Sequence, residues 1–219
     1  MPRHARIDLP GIPHHICIRA VDGMPCLIDD FHRTAFLRFL LEAMEGAAIS
    51  LHAYVLMGNH VHLLVTCHAP GEMSRVMHSV CLRFASYFNR QHDRRGPLFQ
   101  GRFWASPVET EGYFFECMRY IELNPVRAGL VALPAAHAWS SHAHNAGLDV
   151  LPGITPHEVF LQLGRTPEER GRAWSDFVSQ GICDDELQRI RKNLRQNRPY
   201  GSVTFEKEKG RVQEPSPFA

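Results

Sequence analysis

Two histidines separated by a single residue are the strongest candidates for chemistry in this sequence. His60 and His62 lie in the segment Asn-His-Val-His, and residues two apart on a β-strand project from the same face. Two neighbouring imidazoles could bind one divalent metal ion, since histidine is the commonest metal ligand. The spacing is also frequent by chance, so a pair of histidines on a solvated strand face is the alternative.

A tyrosine and an asparagine one helical turn apart could complete such a site. Glu116, Tyr120 and Asn124 recur every four residues, which places them on one face of a helix. A tyrosine hydroxyl can attack a phosphodiester and form a covalent 5′-phosphotyrosine, while a nearby metal ion polarises the phosphate. Spacing alone favours an ordinary half-buried tyrosine, and a solvent-exposed role is favoured for Glu116 over a supporting one.

The segment from Arg75 to Arg102 combines positive charge with aromatic rings. It holds six arginines and one acid, Asp93, which gives a local charge of +5. Arginines bind phosphates and exposed rings stack on bases, a composition typical of surfaces for single-stranded or hairpin DNA. The alternative is a solvated helix face whose rings belong to the core. The arginines that we predict to contact DNA are Arg83, Arg90, Arg94, Arg95 and Arg102.

Hydrophobic periodicity predicts the elements that would position these groups. Apolar residues follow a strand pattern over residues 14–20, 50–57, 60–66 and 98–108. They follow a helical pattern after a cap at Asp29 or Asp30 and over residues 71–91 and 111–123. Gly58 and Asn59 predict a hairpin turn. The order predicts an α+β fold, a ferredoxin-like split βαβ sandwich with an antiparallel sheet, helices on one face, and a final helix added.

Composition limits the class of protein and its domains. The 219 residues suggest one domain with an appendage, and a net charge of +1 excludes a polybasic coating protein. No apolar run is long enough for a membrane helix. Pro10 and Gly11 interrupt any secretory signal, and six scattered cysteines indicate a reducing compartment. We therefore expect a cytoplasmic protein.

We expect three regions along the chain. Residues 1–145 form the main domain, and residues 146–198 form a small C-terminal helical extension with helices near 155–163, 166–179 and 184–197. Residues 199–219 mix Pro, Gly, Glu and Lys and are expected to be disordered. Another pair, His142 and His144, lies in an expected loop and would suit an unrelated metal hydrolase. No role is assigned to the remaining histidines, His15 included.

Four segments resemble one protein family. They are residues 53–65 (AYVLMGNHVHLLV), 96–103 (GPLFQGRF), 119–131 (RYIELNPVRAGLV) and 139–141 (WSS). In this order, over roughly residues 5–145, they resemble the REP-associated tyrosine transposases, bacterial members of the HUH superfamily of single-strand transposases. The resemblance implies an enzyme that cleaves and rejoins single-stranded DNA beside small palindromic hairpins, with Mg²⁺ or Mn²⁺.

The resemblance also assigns roles to residues. It implies that His60 and His62 are the metal pair, that Tyr120 is the nucleophile, and that Asn124 completes the metal site. Gln100 would face the DNA together with Arg102. The unit would be a monomer or a homodimer that exchanges the tyrosine. A DNA-hairpin binding protein without transposition is the alternative, although its expected signature, a broken histidine pair or missing tyrosine, is not present.

Two departures from the family accompany this resemblance. Gly58 stands where relatives usually have proline, which loosens the turn but leaves both histidines in place. The segment from residue 198 to residue 219 lacks the terminal basic run expected of relatives. A truncated or altered C-terminus with weaker DNA binding is therefore a hypothesis.

Overall fold

Four strands form one antiparallel sheet in the order β2-β3-β1-β4. The structure is a computed structural model that describes residues 7–110 and 112–210. The strands are β1 (Pro13–Arg19), β2 (Ile49–Leu56), β3 (His60–Cys67) and β4 (Trp104–Pro107). The longer helices are α1 (Asp30–Met44), α2 (Glu72–Gln91), α3 (Tyr113–Glu122), α7 (Pro167–Ser179) and α8 (Asp184–Gln196). The shorter ones are α4 (Asn124–Arg127), α5 (His142–Asn145), α6 (Glu158–Leu161) and α9 (Val203–Gly210). The predicted α+β, ferredoxin-like class is confirmed.

One face of the sheet is covered by the two helices of the βαβ units. Ile16 and Leu63 point to this face and pack in one apolar cluster with Phe36 of α1 and Phe84 of α2. All four side chains are fully buried. Each such residue contributes roughly 1.5–3 kcal/mol relative to an exposed position, so this cluster anchors the sheet.

The opposite face is covered by α3, which differs from the expectation of helices on one face. Val55 and Leu64 point to this side and pack with Phe114 and Ile121 of α3. The central strands carry apolar residues on both faces of the sheet, so each face needs a covering layer. The consequence for function is that α3 lies directly across the strand that carries the histidine pair.

The predicted turn between β2 and β3 is confirmed. The Gly58 carbonyl accepts hydrogen bonds from the backbone N–H groups of Cys26 and Leu27, at 2.9 and 3.0 Å. Asn59 Nδ2 donates to the Gly23 carbonyl at 2.9 Å. These bonds tie the turn to the segment between β1 and α1, so the beginning of β3 is held at a defined place.

The fourth strand is much shorter than predicted. It spans Trp104–Pro107 rather than residues 98–108, and before it only an isolated bridge joins Phe99 to Ala20. Gly96 and Gly101 have φ angles of 91° and 89°, in the left-handed region. These two turns divert the chain, so residues 98–103 form a loop beside the end of β1.

The C-terminal extension is helical as predicted, with α6 shorter than residues 155–163. A capping box of Thr166 and Glu169 begins α7, with Pro167 at its first position. The expected loop around His142 is instead the short helix α5. The domain boundaries after residues 145 and 198 stay predictions.

The structure differs from the expected disorder of residues 199–219 as far as residue 210. Tyr200 is buried, its N–H donates to the Pro107 carbonyl at 2.7 Å, and its carbonyl accepts from the N–H of Glu109 at 2.9 Å. Helix α9 follows, with the opposite charges of Glu206 and Lys209 three residues apart on it. Residues 211–219 lie outside the described part. Over residues 7–110 and 112–210, no helix combines the length and apolar character needed to cross a membrane.

Candidate active site

Strand β3 presents both predicted histidines to the face covered by α3. The rings of His60 and His62 lie 5.1 Å apart, centroid to centroid, and are nearly perpendicular at 88°. The register of β1 places Arg19 opposite His60 and Cys17 opposite His62. His60 Nδ1 donates to Asn59 Oδ1 at 2.6 Å, which makes Nε2 the nitrogen with an available lone pair.

His15 supports His62, a role that the sequence did not predict. The two rings lie 4.9 Å apart, and a hydrogen bond of 2.9 Å joins His15 Nε2 to His62 Nδ1. His15 is buried on β1. Such a partner fixes the orientation of an imidazole and leaves its other nitrogen for a ligand. The sequence assigned no special role to His15, and the structure places it in contact with both His62 and Tyr120.

Helix α3 brings Tyr120 against the histidines. The Tyr120 ring centroid lies 5.5 Å from those of both His62 and His15, in edge-to-face contacts. The guanidinium of Arg127 covers the tyrosine ring, with its Cζ 4.3 Å from the ring centroid. Only 4% of the tyrosine is exposed. Tyr120 is thus almost fully buried among its neighbours, rather than half-buried as an ordinary helix tyrosine would be.

Asn124 lies one turn after the tyrosine, at the beginning of α4. Its Nδ2 donates to the Tyr120 carbonyl at 3.0 Å, and its Oδ1 accepts from Arg127 at 3.1 Å. Glu116 points elsewhere, because its carboxylate accepts a hydrogen bond from the Tyr200 hydroxyl. The predicted helix face is therefore split, and only Tyr120 and Asn124 belong to the site.

All four predicted residues line one cavity of about 630 Å³. Besides His60, His62, Tyr120 and Asn124, the lining includes four arginines and, among the residues that the structure describes, no acidic one. These arginines are Arg19 of β1, Arg127 of α4, and Arg191 and Arg195 of α8. Converging guanidinium groups make the cavity attractive to a phosphate group. Sequence reasoning missed this set, because its members come from three distant parts of the chain.

Burial keeps the histidines of the cavity neutral. It lowers the pKa of His60 to about 4, with further lowering by the positive charges of Arg19 and Arg127. Burial also lowers the pKa of His62 well below 6.5, and that of His15 to about 3. Neutral imidazoles with available lone pairs are the form that binds metal ions.

The Tyr120 hydroxyl experiences opposing influences. Burial raises its pKa, whereas the charges of Arg127 and Arg191 lower it. The phenol is thus held protonated by burial while two cations favour its ionised form. This balance suits a nucleophile that must lose its proton during the reaction.

The predicted DNA-contact residues lie outside the cavity lining. Arg83 pairs with Glu42 and stacks over Phe39 on the α1–α2 face. Gln100 is exposed, and its backbone N–H donates to the Arg19 carbonyl at 2.9 Å, so its loop adjoins the cavity. The other predicted DNA-contact residues are Arg90, Arg94, Arg95 and Arg102. Their role in binding DNA stays a prediction.

The second histidine pair has a structural role. His142 is buried, and its Nδ1 donates to Glu122 Oε2 at 2.8 Å. His144 Nδ1 accepts from the backbone N–H of Leu151 at 3.0 Å. Within the described ranges, no three His, Cys, Asp or Glu side chains cluster so as to hold a metal ion. The alternative of a metal hydrolase built on His142 and His144 has no support.

The fold is shared with a solved transposase structure. A solved structure of a REP-associated tyrosine transposase bound to a REP hairpin has the same fold, with a TM-score of 0.56. It is 16% identical, and the alignment covers 72% of this chain and 96% of that chain. A putative transposase from Deinococcus radiodurans R1 aligns with 19% identity over 50% of this chain and 88% of that chain, with a TM-score of 0.38.

The chain itself belongs to the family described as "Transposase IS200 like". That family matches residues 11–124, more than half of the 219 residues. The match contains both histidines of β3 and ends at Asn124. No curated protein matches the chain. The resemblance drawn from the sequence is therefore confirmed at the level of the family and the fold.

Proposed function

We propose that this transposase is a single-strand DNA transesterase that cleaves and rejoins hairpin-forming repeat DNA through a 5′-phosphotyrosine at Tyr120. The observation that carries the proposal is the contact of the Tyr120 ring with His62 and His15 inside a cavity lined by four arginines. A buried tyrosine hydroxyl among cations and neutral imidazoles suits attack on a phosphodiester.

The cleavage step is a direct displacement at phosphorus. The Tyr120 oxygen forms a bond to the phosphorus, and the bond from phosphorus to the 3′ oxygen breaks. The phenol loses its proton and the released 3′ oxygen gains one, so the free end is a 3′-hydroxyl. Rejoining reverses these events with another 3′-hydroxyl as the nucleophile. The cavity arginines would hold the negative oxygens of the phosphate in both directions.

The donor atoms of the cavity fit a divalent ion in part. His60 and His62 would hold Mg²⁺ or Mn²⁺ through Nε2, since each Nδ1 already has a partner. Asn124 Oδ1 accepts from Arg127, so that guanidinium would have to release it before the amide could bind a cation. When bound, the ion supplies charge stabilisation at the phosphate oxygens. We propose His60, His62 and Asn124 as its ligands.

Hairpin DNA is the proposed partner. The solved structure that shares this fold is described as bound to a REP hairpin, and the cavity and the neighbouring loop offer Arg19 and Gln100 to a strand. The predicted arginines outside the cavity lining, Arg83, Arg90, Arg94, Arg95 and Arg102, would bind other parts of the DNA. Tyr120 reaches the histidines of its own chain, which supports a site complete within one protomer.

The test uses one oligonucleotide that carries a REP-type hairpin and is labelled at either its 5′ or its 3′ end. With Mn²⁺, we expect a denaturation-resistant adduct that carries only the 3′ label, because a 5′-phosphotyrosine retains the downstream fragment. The 5′-labelled fragment should be released with a 3′-hydroxyl. Adduct that carries the 5′ label, or that forms equally well in EDTA, would contradict the proposed reaction.

A further inference from the structure

Helix α8 lies beyond residues 11–124, which match the family, yet it lines the candidate active site. Its attachment to the sheet is specific. Asn197, which caps α8, accepts from the backbone N–H of Ala105 in β4 at 2.9 Å. Arg119 of α3 donates to both oxygens of Glu186, at 3.0 and 2.8 Å. Helix α8 is therefore fixed against both the sheet and the helix that carries the tyrosine.

The charges of α8 are separated along its length. The acids Asp184, Asp185 and Glu186 occupy its first turn. Arg191 and Arg195 follow four residues apart, on one face, and both line the cavity. Summed over the helix, the positive and negative charges nearly cancel, but the charged side chains of α8 that line the cavity are positive.

Arg191 and Arg127 approach the tyrosine in different ways. Arg127 stacks on the ring, and its terminal nitrogens donate to the Tyr120 carbonyl at 3.2 Å and to Asn124 Oδ1 at 3.1 Å. Arg191 of α8 lines the same cavity as the tyrosine, and its positive charge lowers the pKa of the Tyr120 hydroxyl. The C-terminal extension therefore adds a positive side chain to the cavity that holds the reacting oxygen.

We propose that Arg191 is a catalytic residue of the tyrosine site, supplied by the C-terminal helical extension. Its guanidinium donates to a non-bridging phosphate oxygen as the new bond between the Tyr120 oxygen and phosphorus forms. A planar guanidinium carries five donors and suits such a phosphate contact. This inference rests on the proposed function and deepens it, since it assigns part of the phosphate-binding site to α8.

The experiment compares full-length wild-type protein with three variants on the hairpin oligonucleotide described above. R191Q removes the guanidinium charge, and R191K keeps a charge without the planar fork of donors. K192Q is the matched control, because Lys192 is exposed on the same turn of α8 and does not line the cavity. Two quantities are measured: the initial rate of adduct formation with Mn²⁺, and the dissociation constant without metal ion.

Loss of one preorganised donor to a developing anionic centre costs about 10²–10³-fold in rate, so R191Q should form adduct about 100-fold more slowly. Its dissociation constant should change by less than about threefold, because Arg191 makes one phosphate contact among many. R191K should recover part of the rate, to within about tenfold of wild type, because it retains the charge. K192Q should stay within about twofold in both measurements.

Two results overturn the inference. One is adduct formation by R191Q within twofold of wild type. The other is an equal loss of rate and affinity in R191Q and K192Q, which would indicate a general charge effect. If R191Q does not fold, R191K decides the question. A wild-type rate of adduct formation in R191K would then likewise assign Arg191 to structure alone. Absence of adduct in wild type and K192Q together would instead refute the proposed function, so the two failures are distinguishable.

Discussion

His15 and His62 share a hydrogen bond of 2.9 Å between Nε2 and Nδ1, across two neighbouring strands. Both imidazoles are buried on the face of the sheet that α3 covers. The bond engages one nitrogen of His62 and leaves the other for a ligand. We therefore expect His15 to act on the site through His62.

Replacement of His15 should weaken metal binding. Loss of a partner that orients a histidine ligand typically costs about 10–100-fold in metal affinity, and we expect this range for Mn²⁺ in His15→Phe. Free Mn²⁺ measured by electron paramagnetic resonance gives the affinity. His14→Phe is the control, since His14 is also buried but points to the opposite face of β1. Equal affinity in wild type and His15→Phe would contradict the supporting role.

Glu122 should be essential for stability rather than for chemistry. Its buried carboxylate accepts four hydrogen bonds, from His142, Trp174, Asn145 and Ser141, at 2.7–2.8 Å. Glu122→Gln replaces an acceptor oxygen with a donor that faces other donors. We expect a loss of about 2–4 kcal/mol in the free energy of unfolding.

Urea unfolding measures this change for Glu122→Gln. Glu208→Gln, on the exposed surface of α9, should stay within about 0.5 kcal/mol of wild type. A similar small effect for Glu122→Gln would show that the four hydrogen bonds do not stabilise the junction between α3 and the C-terminal extension.

His52 should make stability depend on pH. Burial lowers its pKa to about 4, and the neighbouring His157 and His68 lower it further, against a hydrogen bond to the Thr155 carbonyl. The unfolded chain, with a pKa near 6.5, binds the proton first as pH falls. His52 therefore stabilises the fold above pH 6.5, and about 2 kcal/mol of that contribution is lost by pH 5.

The matched variant is His52→Gln, which keeps a neutral donor and acceptor but cannot titrate. Urea unfolding at pH 7.5 and pH 5 should show a smaller loss in the variant, by about 2 kcal/mol. Parallel losses in wild type and variant would mean that His52 is not neutral in the folded protein.

Arg19 should contribute to the salt dependence of DNA binding. It lines the cavity and its carbonyl receives the N–H of Gln100. Loss of one phosphate contact lowers the slope of log affinity against log salt by about 0.7–0.9. We expect this for Arg19→Gln in hairpin titrations. Arg38→Gln, an exposed arginine of α1, should leave the slope unchanged, and equal effects of the two variants would refute the contact.

The sequence predicted the order of elements and four residues that line one cavity, whose roles only the family resemblance implied. Alternation in β3 was sufficient to place His60 and His62 on one face, and helical spacing brought Tyr120 and Asn124 together. These are local periodicities, which depend only on neighbours along the chain.

Relationships across the fold could not be predicted in this way. The role of His15 depends on the register of β1 against β3, and that of Arg191 on the docking of α8. The turns at Gly96 and Gly101 override a strand pattern that the residues alone indicate. In each case contacts between distant parts of the chain decide where the residue lies. Summed charge and local propensity carry no information about such contacts.

Mapping of the covalent adduct tests the central claim most directly. Trypsin should release Tyr120 in the peptide of residues 120–127, which follows Arg119 and contains no other tyrosine. After reaction with the hairpin oligonucleotide and Mn²⁺, mass spectrometry should find the nucleotide on that peptide. Tyr120→Phe should form no adduct while it still binds the hairpin, and Tyr113→Phe, on the same helix, should react normally. Adduct on another peptide, or cleavage that persists in Tyr120→Phe, would contradict the assignment of the nucleophile.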